Sequence, residues 1–173
     1  MFHRLLIPID GSEAGREGLG EALRLAPAWG STLRLLVATC LHPFAREMAN
    51  SAELEGYRCS LRQRADHLLA EADAVVRKAG LSVETVTREL AQGPPASAIV
   101  AEAAGSGCDL IIMGTHGRSG LARAVAGSNA EEVVRRSAVP VLVVHRPRVR
   151  RRRAAANPLT VITTRGESAS TVT

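Results

Sequence analysis

Largely apolar, strand-like stretches recur along the chain at residues 5–9, 33–38, 110–113 and 139–144, and Val83 and Val86 suggest one more. Leu5-Leu6-Ile7-Pro8-Ile9 and Leu110-Ile111-Ile112-Met113 are apolar at every position rather than at alternate ones, the signature of strands buried on both faces of a parallel sheet. The segments between them follow the 3.6-residue period of helices. Residues 13–29 place Ala14, Gly18, Ala22, Leu25, Ala26 and Trp29 near one face, behind Ser12 as N-cap and Glu13 in the first turn. Pro27 is expected to end or kink that helix. Residues 41–51 read as a loop. Leu61, Ala65, Leu68, Leu69, Ala72, Val75, Val76 and Ala79 form a second stripe, closed by Gly80. Gly93-Pro94-Pro95 opens a third helix that runs to Gly105, and residues 128–137 read as a fourth.

Strands alternating with helices predict an α/β domain: a parallel sheet sandwiched by helices. Ligands of such sheets bind outside the carboxyl ends of the strands, where the winding reverses. Asp10 and Gly114 both follow predicted strands, so they are expected to face each other across that crevice.

The stretch from Met113 to Asn129 carries the candidate chemistry. It reads Gly114, two residues, Gly117, nine residues, Gly127, then Ser128 at the start of a helix. Glycines let backbone amides approach an anion with no Cβ in the way. The amide and hydroxyl of Ser128, with the partial positive charge of the helix end, suit phosphate oxygens. Lys78 is the only lysine, so this is no Walker P-loop.

Three segments together resemble the universal stress protein family, over nearly all of residues 1–145: Ile7-Pro8-Ile9-Asp10-Gly11-Ser12, Asp109 through Gly120, and Val139-Pro140-Val141-Leu142-Val143-Val144. The Gly-x2-Gly-x9-Gly-Ser pattern is similar to that of the family's ATP-binding branch. The resemblance implies a five-stranded parallel sheet of order 3-2-1-4-5, Rossmann-like and close to the adenine-nucleotide alpha hydrolase fold. It implies ATP as ligand, with Mg2+ able to accompany the phosphates. Asp10 would meet the ribose hydroxyls, with Pro8 and Ile9 beside it, and the backbone around Ala38 would meet the adenine. Met113 would line the base or sugar pocket. Gly114, Gly117, Gly127 and Ser128 would hold the phosphates, with Arg118 and Asn129 close by. It also implies a homodimer through the last strand, Val141–His145, which lacks any covering element in the body and so presents an open edge.

Simpler readings stand beside these. Asp10 also suits a turn ahead of Ser12, and the glycines also suit a plain strand-to-helix loop. The chain is then a nucleotide-free homodimeric interaction module of the same fold. Under the nucleotide reading, Gly114→Val together with Ser128→Ala is expected to abolish binding and leave the fold and dimer intact. His116 has no carboxylate partner in sequence, and no general base stands beside the loop. A nucleotide-holding regulator or sensor of the stress response is expected, not an enzyme, with slow ATP hydrolysis left open. An adenylyl transferase would need a His-x-x-His signature, which the chain lacks.

Charge and composition adjust this picture in two places. The net charge of +5 is unevenly spread: residues 146–173 hold seven Arg and one Glu, whereas residues 1–145 hold 15 basic and 16 acidic residues. The basicity belongs to an Arg-rich tail, read as flexible apart from a short strand at 159–162, and the domain proper is residues 1–145. No aromatic residues accompany the Arg run to stack on bases, so nucleic-acid or membrane contact is not expected of it. Three separated cysteines, Cys40, Cys59 and Cys108, indicate neither a disulfide scaffold nor a zinc site, and the remaining histidines show no ligand spacing. A cytoplasmic setting with an as yet unknown protein partner is the expectation.

Overall fold

The computed structural model describes residues 1–41, 51–90, 92–115, 128–145, 159–162 and 171–172, with the backbone alone for Ser51, Ser128 and the last two segments. In chain order these form β1 (Arg4–Pro8), α1 (Glu13–Trp29), β2 (Thr32–Cys40), α2 (Ser51–Lys78), β3 (Val83–Leu90), α3 (Pro95–Gly105), β4 (Leu110–Gly114), α4 (Ser128–Arg136), β5 (Val141–Val144), β6 (Leu159–Ile162) and β7 (Thr171–Val172). The strands lie in one sheet of order β3-β2-β1-β4-β5-β6-β7. The first five are parallel in the expected order 3-2-1-4-5.

The unbroken apolar runs have a simple cause: both faces of the sheet are covered. On one face Leu5, Ile7, Leu33, Leu35, Val37, Leu110 and Ile112 pack under α1 and α2, meeting Leu19, Ala22 and Ala26 of the first and Ala65, Leu69, Ala72 and Val76 of the second. On the other face Leu6, Leu36, Ile111, Met113, Val141 and Val143 pack under α3 and α4, against Ala96, Ile99, Ala103, Ala130 and Val133. Neighbouring residues of one strand thus feed opposite cores, so no position can be polar without a partner. Small residues on the helices let aliphatic strand side chains fill the space that aromatic ones occupy elsewhere.

Three details differ from the sequence reading. Pro27 lies inside α1 without breaking it, because only the last turn follows it. Gly30 then closes the helix at φ 65°, its N–H donating to the Ala26 carbonyl. Val75 sits on the solvent side of α2, 49% exposed, and does not join the stripe. The edge strand is the third correction. β5 is not open: β6 pairs with it antiparallel, Val141 opposite Ile162 and Val143 opposite Thr160. The strand expected at 159–162 is therefore present and covers the edge that was expected to be free. β7 pairs in turn with β6.

Candidate functional site

The turn after β1 sets one wall of a cavity at the carboxyl ends of the strands. Gly11 adopts φ 78°, the left-handed region that favours glycine. The Ser12 amide donates to Asp10 Oδ1 at 2.9 Å, and the Ser12 hydroxyl caps α1 by accepting from the Gly15 amide at 3.0 Å. The turn reading of Asp10 is thereby borne out. One carboxylate oxygen holds the turn, and the side chain as a whole is exposed and lines the cavity.

The cavity measures about 230 Å3. Pro8, Ile9 and Asp10 border it from β1 and the turn, and Ala38 from β2. Met113 and Gly114 close it at the end of β4, and Asn129 and Ala130 border it at the start of α4. Asp10 and Gly114 therefore do share one crevice. Gly117, Arg118 and Gly127, together with His116, lie outside the described residues. Ser128 opens α4, as expected.

Several lining residues escaped the sequence reading. Pro95 and Ile99 enter from α3, Ala14 and Gly15 from the first turn of α1, and Thr115 just past β4. Their only sequence signal is position, since each follows a strand end or opens a helix. Three helices, α1, α3 and α4, begin at this end of the sheet, so their positive dipole ends converge on the cavity. Chemically, the cavity offers an exposed carboxylate on one side, amide-rich helix starts on the other, and an apolar floor of Ile9, Leu36, Ile99 and Met113 between them. That combination suits a ligand with hydroxyls at one point, negative charge at another and a flat apolar body. Among the described residues, no three His, Cys, Asp or Glu side chains group as metal ligands would.

Gly114 has a second duty that the loop spacing did not disclose. A β-carbon on it would lie 1.9 Å from the Ala14 carbonyl oxygen, and one on Gly18 would lie 2.9 Å from the Gly114 amide nitrogen. α1 crosses the end of β4 backbone to backbone. The expectation that Gly114→Val would spare the fold is therefore wrong: no side chain fits there.

A separate charged cluster occupies the α3 face near β3. Glu84 accepts from Arg4 and Arg34. Glu102 Oε1 accepts from Arg34 Nε at 2.8 Å, and its Oε2 from Arg88 Nε at 2.6 Å. Burial pushes the Glu102 carboxyl up, but its two arginines outweigh burial and hold it below the usual carboxylate range. Glu84 is held low as well, chiefly by Arg4. Burial pushes the neighbouring Cys108 thiol up.

Comparison with known proteins fits this architecture. Residues 1–145 match the profile of the Universal stress protein family. The chain is 30% identical over 148 residues to Universal stress protein MJ0531 of Methanocaldococcus jannaschii, covering 86% of this chain and 85% of that one. Among solved structures, hypothetical protein MJ0577 superposes with a TM-score of 0.71 at 27% identity, over 86% of this chain and 99% of its own. A universal stress protein crystallised in complex with cAMP gives a TM-score of 0.62 at 27% identity, over 83% of this chain and 97% of its own. With the five-stranded order, the crevice at the strand ends and the profile match all in agreement, the chain belongs to the universal stress protein family.

Proposed function

We propose that the chain binds an adenine nucleotide, ATP among them, in the cavity between Asp10 and α4, and acts as a nucleotide-dependent regulator or sensor in the stress response. One observation carries the reading: the exposed Asp10 carboxylate and the start of α4 border the same crevice, with Ala38 and Met113 on its walls. The ribose hydroxyls donate to Asp10. The base lies against the β2 end at Ala38 and over Met113. The phosphates meet the start of α4 at Ser128 and Asn129 and the Gly117–Gly127 segment, and Mg2+ enters with them. The cAMP complex of a relative at 27% identity supports an adenine ligand for this pocket. No lysine stands in the loop and, among the described residues, no histidine lines the cavity, which supports a site that chiefly holds nucleotide, with slow hydrolysis left open. We place the protein in the cytoplasm, working through a protein partner.

Equilibrium binding of labelled ATP, ADP and cAMP, with and without Mg2+, tests this. Asp10→Asn keeps the acceptor that the Ser12 amide uses and removes the charge. It should weaken binding about tenfold, roughly 1.4 kcal/mol, with the melting temperature unchanged. Absence of saturable binding at millimolar nucleotide would sink the proposal.

A nucleotide-free interaction module has one observation in its favour. Packing against Ala14 alone accounts for the first glycine of the loop. Mass spectrometry of the protein as purified separates the two readings: bound adenine nucleotide supports the first, and its repeated absence supports the second. Homodimerisation through β5 belongs to either reading. It requires β6 to leave that edge or to be exchanged with a second copy, since β6 occupies it.

A further inference from the structure

The charged cluster on the α3 face is built as a chain, Arg4–Glu84–Arg34–Glu102–Arg88. Each carboxylate is bracketed by two guanidinium groups, and a guanidinium stands at each end. Three cations against two anions leave one uncompensated positive charge. Arg34, in the middle, is 17% exposed and is consumed by its two partners. Arg4, at one end, spends Nη2 on Glu84 and Nη1 on the Ser106 carbonyl. Arg88, at the other end, differs. Among the described residues only its Nε is engaged, by Glu102, and its side chain is 51% exposed.

An arginine with a pinned Nε is not an ordinary surface cation. Glu102 is 3% exposed and fixed on α3, so the guanidinium plane of Arg88 is held in orientation before any ligand arrives. Much of the rotamer entropy that a free arginine loses on binding has already been lost. The two terminal nitrogens form the fork that matches two oxygens of a carboxylate or phosphate. Arg88 also lines a cleft of about 770 Å3 between α3 and β3, together with Ser97. The Ser97 hydroxyl accepts from Arg136 Nη1 at 3.1 Å, which leaves its own O–H to donate. Ser97 stands in the first turn of the 11-residue α3, where the dipole also favours negative charge.

We propose that this cleft is a second binding site, which takes the oxyanion of a small metabolite on the terminal nitrogens of Arg88, with Ser97 as second donor. It is separate from the nucleotide cavity. α3 lies between them, turning Pro95 and Ile99 to the one and Ser97, Ala98, Ala101 and Glu102 to the other. The shared chemistry is a pair of coplanar, negatively charged oxygens, and its source is either a carboxylate or a phosphate.

Nitrogen-15 NMR of the full chain reads the arginine Nε–H signals directly. Inorganic phosphate and, separately, acetate are titrated at constant ionic strength, with sodium chloride as reference. The Arg88 signal should follow a saturable curve with a midpoint of about 1 mM for at least one of the two anions. The Met113 backbone amide, in the other cavity, should stay still, which separates this site from the nucleotide reading. Saturation by phosphate alone assigns a phosphorylated ligand, and saturation by acetate assigns a carboxylate. Followed on the Ser97 backbone amide, which should move with the same midpoint, Arg88→Gln should abolish the curve and Arg88→Lys should weaken it about tenfold; followed on Arg88 Nε–H, Ser97→Ala should weaken it about fivefold. A response linear in concentration, one that chloride reproduces, or one unchanged in Arg88→Lys and Ser97→Ala would overturn the proposal and leave the network as a clamp of α3 onto β2 and β3. The last two variants decide the matter even if Arg88→Gln does not fold.

Discussion

Two backbones meet at Gly114, where α1 passes over the end of β4 with no room for a single added carbon. Because the obstacle is the Ala14 carbonyl and not a flexible side chain, relief requires the helix to move. Gly114→Ala should therefore cost about 3 kcal/mol or more, lowering the melting temperature by about 6–12 °C. Gly20, in the same helix, is the control, since a β-carbon added there would meet nothing within 4 Å. Gly20→Ala should stabilise by about 0.5–1 kcal/mol. Calorimetry on both variants reads the contrast. The sequence displays Gly114 plainly and its phosphate-loop spacing too, but its packing partner lies a hundred residues earlier, so that half of its role was invisible. Glu102 is a similar case. In sequence it is one more helix residue, and only the fold sets Arg34 and Arg88 around it. Its carboxyl titrates lower folded than unfolded, so its contribution is complete above the ordinary carboxyl value, about pH 4.3, and drains away as pH falls below it. Glu102→Gln should lose about 2 kcal/mol at pH 7 and show a shallower fall of stability in that acid window, measured by urea unfolding across pH.

The elements themselves were largely legible. Continuous apolar runs and the 3.6 period suffice for the strands and helices because the physics there is local: what is buried on both sides is apolar on both sides. α2 begins ten residues before its stripe becomes regular. That early part is tied down by charge instead, with Arg58 bridging to Glu89 of β3 and Arg62 joining it one turn on, and apolar periodicity cannot register that. α4 is the shortest helix among those described, nine residues held to the sheet by Ala130 and Val133. That makes it the sensitive wall of the proposed nucleotide cavity. Val133→Ala and Val76→Ala each empty a fully buried position and should each cost about 2 kcal/mol. Only the first should also weaken nucleotide binding, since Val76 lies under α2 on the opposite face. Equal losses of affinity in the two variants would detach α4 from the ligand.

At the scale of the molecule, the core is two aliphatic layers divided by one sheet, and the site lies at the carboxyl ends of its central strands, where α1, α3 and α4 begin. The order 3-2-1-4-5 and the crevice followed from alternation and the family resemblance. The fate of the β5 edge did not, because a strand 14 residues further on, behind an Arg-rich run, leaves no periodic trace in the body. A chain ending at residue 145 should self-associate more strongly than the full chain, as light scattering across protein concentration would show. Equal association of the two forms would mean that β6 does not guard the edge.

β7 gives that guard a further meaning. The sheet finishes on two residues, Thr171 and Val172, too short a ladder to template another chain. The four residues of β5, each buried and aliphatic, would be a far better seed for fibrous growth. What separates the two outcomes is a connection carrying Arg150 through Arg153, where a trypsin-like protease has four consecutive sites by sequence. A single nick there would cut the covalent link between β5 and its cover, so trypsin-clipped protein should aggregate faster than the intact chain, as light scattering over time would show.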